Sequence, residues 1–209
     1  MRRSERSREA VRVRKRGLLL ATISLLNFHN VLLGKTTITN WTRPKLDVAC
    51  VIDLHQSQRH PEREKLFEDI KVVCASIPDA VVHHIQFEKL DFGETNVLDK
   101  FYSADVAIID LSEQAQLRTL VYHLGVRESF GMYQNILLVH DTDKEATMAL
   151  KLNFNSNYYF VSYNVATDNT LVVSEPTAII NDNMRISLVS KLKLLMKDLE
   201  VQSKVLNII

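Results

Sequence analysis

Five carboxylates occupy positions from which a ligand could be held: Asp53, Asp91, Glu94, Asp110 and Glu113. Each falls at the end of an apolar run or in the polar stretch just after one. Converging carboxylates can grip a ribose hydroxyl or move a proton in acid–base work. The plain alternative is that loops are polar and that Asp caps helices. Ser112, two residues after Asp110, belongs to the same candidate pocket. His123 and Arg127 join it from a stretch of helical spacing, where positions i and i+4 share a face. Their ordinary reading is surface packing and ion pairing.

Other chemistries are excluded by what the chain lacks. With five Gly in 209 residues, neither G-x-G-x-x-G nor G-x-x-x-x-G-K-[ST] can be found, so no phosphate-cradling loop is present. H-R-D, D-F-G and G-x-S-x-G are also missing, which removes a protein kinase catalytic domain and a hydrolase elbow. The two Cys rule out a disulfide scaffold and a four-Cys zinc site. Cys50 lies on an expected strand and Cys74 on the apolar face of an expected helix, so both read as inert core thiols. His83 and His84 are adjacent on a strand, point to opposite faces and cannot chelate one ion. No metal and no cofactor are expected.

The elements that must position these residues follow from hydrophobic periodicity. LDVACVIDL, residues 46–54, reads as a strand buried on both faces. Pro61 stands at a plausible first helical position, and residues 62–77 place Leu66, Phe67, Ile70, Val73, Cys74 and Ile77 on one face. A second strand is expected at 80–87 and a short helix at 94–103, with Leu90–Glu94 as the loop beyond strand two. ADVAIIDL, 104–111, is the clearest buried strand. A helix follows at 115–130, with Leu117, Leu120, Val121, Leu124 and Phe130 on its apolar face. Next come a strand at 135–140 and a helix at 143–152 with Asp143 as cap. A fifth strand is expected at 158–165, an edge strand at 170–175 and a long helix at 183–203. This alternation predicts an α/β, flavodoxin-like, doubly wound and mostly parallel five-stranded sheet with helices on both faces. Such folds bind ligands beyond the carboxyl ends of the strands, where strand order reverses.

Composition fits one globular domain with tails: 46% hydrophobic and 24% charged residues. The net charge of +1 hides an asymmetry. Residues 1–16 hold seven Arg and one Lys against two Glu, a local +6, which leaves −5 on the remainder. A mildly acidic body disfavours a nucleic-acid partner. Residues 17–34, GLLLATISLLNFHNVLLG, resemble a signal sequence after a basic region. However, Glu5 and Glu9 lie in that region, no A-x-A-like site follows, and Asn27, His29 and Asn30 break the apolar run. A solvated basic tail outside the domain is the preferred reading, and a membrane partner is not expected. Asn40-Trp41-Thr42 is a sequon that would matter only in a secreted chain. The expected organisation is a basic and apolar extension over 1–45, the α/β domain over 46–203, and a tail over 204–209.

Residues 90–142 carry a resemblance. Leu90-Asp91-Phe92-Gly93-Glu94-Thr95, Val97-Leu98-Asp99, Phe101-Tyr102, Ala104-Asp105 and Tyr122-His123-Leu124-Gly125-Val126-Arg127-Glu128-Ser129-Phe130 resemble the amino-terminal region of the apoptosis signal-regulating kinases. These are stress-activated MAP kinase kinase kinases, and the likeness extends over residues ~46–200. It implies a cytoplasmic regulatory domain without the catalytic part, in stress and apoptosis signalling through the MAPK cascade. The implied partners are a family kinase or other signalling proteins, and thioredoxin, which in that family holds the kinase inactive when reduced. Family members tend to carry cysteines after the fourth strand, and residues 135–175 have none. The region is also similar to nucleoside deoxyribosyltransferases, which implies a nucleotide-like small molecule as the alternative ligand. There an Asp follows the third strand, matched by Asp110, and a catalytic Glu sits where this chain has His123. Imidazole cannot replace a carboxylate that forms a glycosyl–enzyme bond.

Overall fold

The computed structural model describes residues 46–55, 60–154, 158–174, 179–181 and 184–206. The basic block, the apolar stretch after it and the sequon lie outside the described residues. The described elements run in chain order: β1 (Leu46–Val51), α1 (His60–Ala75), β2 (Ala80–Ile85), α2 (Phe87–Phe92), α3 (Thr95–Ser103), β3 (Val106–Asp110) and α4 (Leu117–Ser129). They continue with β4 (Asn135–His140), α5 (Lys144–Leu152), β5 (Tyr159–Val165), β6 (Leu171–Val173), β7 (Ile179–Asn181), β8 (Met184–Arg185) and α6 (Leu188–Leu206).

The main sheet has six strands in the order β2-β1-β3-β4-β5-β6. The first five are parallel, and β6 returns antiparallel to β5. This is the flavodoxin-like arrangement expected from the alternation, with the antiparallel edge strand added. Strand order reverses between β1 and β3, so the ligand crevice of such a fold opens beyond their carboxyl ends.

The alternating side chains of each strand feed two cores. On one face Val48, Cys50, Ile108, Leu138 and Val161 pack with Leu66, Ile70 and Val73 of α1 and Leu192, Met196 and Leu199 of α6. On the other, Ala49, Val51, Ala107, Ile109 and Leu137 meet Leu90, Phe101, Leu120 and Leu124 from α2, α3 and α4. All five residues of β3 are buried, which is why its sequence is unbrokenly apolar until Asp110.

Several expectations are corrected. Leu90 and Asp91 do not belong to a loop, because Phe87–Phe92 is helical and starts two residues after β2. At its end Gly93 adopts φ +80°, and its N–H donates to the Lys89 and Leu90 carbonyls, a left-handed stop that glycine adopts without strain. The third strand begins at Val106, since Ala104 closes α3. The final helix starts at Leu188, because Met184–Arg185 pairs with Ile179–Asn181 and the Ile186 carbonyl accepts from Val173 N–H. It continues to Leu206, beyond the boundary expected at 203. Val121, expected on the inner face of α4, and Phe130, which instead follows its end, are only partly covered, at 41% and 42% exposure.

Candidate functional site

The carboxyl ends of β1, β3 and β4 form the floor of a cleft of about 1000 Å³. Asp110 is the last residue of β3 and Asp53 lies two residues past β1; both are almost wholly buried. Buried carboxylates need partners, and each of these has them. Arg63, near the start of α1, places Nε 3.3 Å from Asp110 Oδ2. The same guanidinium reaches Glu113 Oε2 at 3.6 Å and donates to the Asp53 carbonyl at 3.4 Å. The other Asp110 oxygen accepts from both the N–H and the hydroxyl of Ser112. Asp53 accepts from Gln116 Nε2 at 2.6 Å and from His55 N–H at 2.9 Å. Burial raises the Asp110 carboxyl above its ordinary pKa, opposed by Arg63 and the two Ser112 bonds.

Ser112 also fastens two strands together, because its hydroxyl accepts from His140 N–H at 2.8 Å. The His140 ring packs on Tyr163, with centroids 5.3 Å apart, and its Nδ1 lies 3.7 Å from Glu62. The walls come from Phe87 and Glu88 of α2, the 111–117 segment, and Asp143, Ala146, Thr147 and Leu150 around α5.

Four of the eight candidate residues therefore meet at one place: Asp53, Asp110, Ser112 and Glu113. The other four stand elsewhere. Asp91 is exposed on α2 and accepts from Thr119 Oγ1 at 3.0 Å. Glu94 is exposed and precedes α3. His123 and Arg127 share one face of α4, but that face is inward, with exposures of 7% and 0%. The surface reading of this pair is corrected.

His123 Nδ1 bonds the Tyr102 hydroxyl at 2.6 Å, among Phe101, Tyr102 and Tyr122 rings. Burial lowers the pKa of His123 from its ordinary value and raises that of Tyr102. Arg127 serves the opposite end of the sheet. Its Nε donates to Asn135 Oδ1 at 2.7 Å and its Nη1 to the Phe101 carbonyl at 2.6 Å. Burial lowers it to about 10, which leaves it charged at neutral pH.

Sequence reasoning did not single out Arg63 or Gln116. Their signal was indirect: two buried carboxylates at neighbouring strand ends demand a cation, and Arg63 lies in the first turn of the helix that follows β1. Among the described residues no group of three His, Cys, Asp or Glu is placed to hold a metal. None of their helices is long and apolar enough to cross a membrane.

Two family models match this chain. One, described as the deoxyribohydrolase domain of the ASK signalosome, covers residues 69–105. The other, described as a MAP3K TRAFs-binding domain, covers residues 120–207. Mitogen-activated protein kinase kinase kinase 5 of Homo sapiens is 38% identical over 130 residues, 58% of this chain and 9% of the relative. Over these residues the chain is similar to the amino-terminal part of the apoptosis signal-regulating kinases. Mitogen-activated protein kinase kinase kinase 15 of Mus musculus is 49% identical over 88 residues, 39% of this chain and 7% of the relative. The nsy-1 kinase of Caenorhabditis elegans is 42% identical over 96 residues, covering 46% and 6%. The chain thus spans less than a tenth of the length of these relatives. In this chain the segments matched by the two family models share one sheet. The central strand β3 falls between them, and the second begins at Leu120, inside α4.

Proposed function

We propose that this domain binds and senses within the regulatory part of a stress-activated MAP kinase kinase kinase, engaging signalling proteins without turning over a substrate. The observation that carries this reading is the state of the two buried carboxylates. Asp110 and Asp53 each bond fixed partners through both oxygens, so neither stands ready as nucleophile or proton carrier. The position that would hold a second catalytic carboxylate is His123, occupied with Tyr102. The deoxyribosyltransferase-like alternative is therefore not favoured.

The partner class is drawn from the family description at residues 120–207, which names TRAFs. Thioredoxin is the second proposed partner, in the cytoplasm. Its contact here is non-covalent, because the chain's two cysteines are both buried. Burial pushes the Cys74 thiol up to about 11 and also raises that of Cys50 well above its ordinary value, so neither offers an accessible thiolate. The test is a pull-down of the full chain against a TRAF protein, reduced and oxidised thioredoxin, and a full-length family kinase. Retention of at least one is expected, and loss of none by Cys74→Ser. Failure to retain any of them, or release of free base from nucleosides that Asp110→Ala abolishes, overturns the reading.

A further inference from the structure

The cleft has the size of a small-molecule site, and its floor is complete without a ligand. Its walls divide by chemistry. Phe87, Val139 and Leu150 give it an apolar side, while Glu88, Glu113 and Asp143 set carboxylates around it. Phosphate recognition needs unengaged donors: a guanidinium, or the free N–H groups of a helix start. Arg63, the guanidinium among the described lining residues, is spent on Asp110, Glu113 and the Asp53 carbonyl. The start of α5 faces the cleft, but its Glu145 and Ala146 N–H groups donate to Asp143 Oδ1. A phosphate entering here would meet three carboxylates and a guanidinium already paired, with the neutral donors of Gln114, Thr142, Thr147 and Asn153 to set against that repulsion.

We infer that the cleft binds a small unphosphorylated organic molecule, uncharged or cationic, and rejects its phosphorylated counterpart. The ligand lays an apolar or aromatic body against Phe87 and Leu150 and turns hydroxyl or amine donors toward Glu113 and Asp143. The ligand here is a small molecule and the partners proposed above are proteins, so calorimetry and the pull-down can fail independently.

The experiment is titration calorimetry of the full chain with three matched pairs: adenosine and its 5′-monophosphate, thiamine and its monophosphate, pyridoxine and its 5′-phosphate. At least one unphosphorylated member is expected to bind at least tenfold more tightly than its phosphate. Glu88→Gln combined with Glu113→Gln should narrow that ratio at least threefold, by removing repulsion. Ala146→Trp, at an exposed wall position, should abolish binding while leaving the thermal midpoint unchanged. Equal or tighter binding of the phosphates overturns the inference. So does binding that survives Ala146→Trp, or a flat response to all six compounds.

Discussion

Arg127 shows how one side chain can hold an end of the sheet. Its fork joins the start of β4, through Asn135, to the end of α3, through the Phe101 carbonyl, and its guanidinium stacks 5.6 Å from the Phe101 ring. Removing a buried charge partner strands the groups it satisfied. Arg127→Met should cost about 3 kcal/mol in urea unfolding. Arg127→Lys should recover less than half of that, since an ammonium cannot reproduce the planar fork. His123 gives a pH dependence of known sign. Folded His123 binds a proton less readily than the unfolded chain, because burial lowers its pKa. As pH falls through the ordinary imidazole range, the unfolded state takes up the proton first and gains on the folded one. The urea midpoint should therefore drop between pH 7 and pH 5.5, and His123→Phe should flatten that drop. At this scale the sequence put Asp53, Asp110, Ser112 and Glu113 at or just beyond strand ends, and the structure brings these four together around Arg63. The sequence did not show that His123 and Arg127 face inward, because helical spacing marks which residues share a face without marking which face is covered.

Element boundaries follow local chemistry where the chain supplies it. Asp143 caps α5 by accepting from two N–H groups, as its place before the helical run suggested. That helix is lightly held: Met148 and Leu152 are largely exposed and its buried residue is Thr147. Its stability therefore leans on the cap, and Asp143→Ala should cost about 1 kcal/mol. Amide exchange in α5 should quicken in this variant while the wholly buried β3 keeps its protection. Two elements escaped the sequence for opposite reasons. Phe87–Phe92 is too short for a 3.6-residue period to register. The start of the last helix was placed too early because Ile186 keeps helical spacing with Val189, although its carbonyl belongs to the edge of β6.

At the scale of the molecule, the domain cannot be divided where the family descriptions divide it. A fragment beginning at Leu120 lacks β1, α1 and β3, so β4 loses a strand it pairs with, where Ile136 stands opposite Ile108, and part of the core that includes Val48 and Leu66. Residues 120–209 alone should show no cooperative unfolding by circular dichroism, while the full chain shows a single sigmoid for its α/β domain. A cooperative transition in the fragment would mean that the half-sheet is self-sufficient.

The sequence by itself determined the fold class, the order of the main-sheet strands and the longer helices between them, and the family resemblance, since apolar runs of period 2 and 3.6 are local signals and residues 90–142 carry a long shared string. It also placed acidic residues at the strand ends. Only the tertiary structure decided what those residues do. Whether Asp110 is a free carboxylate or a bonded one depends on Arg63, which lies 47 positions away in the chain and 3.3 Å away in space. Contacts of that kind arise when the sheet closes, because burial strips water from each carboxylate and makes a fixed partner the condition of its being there.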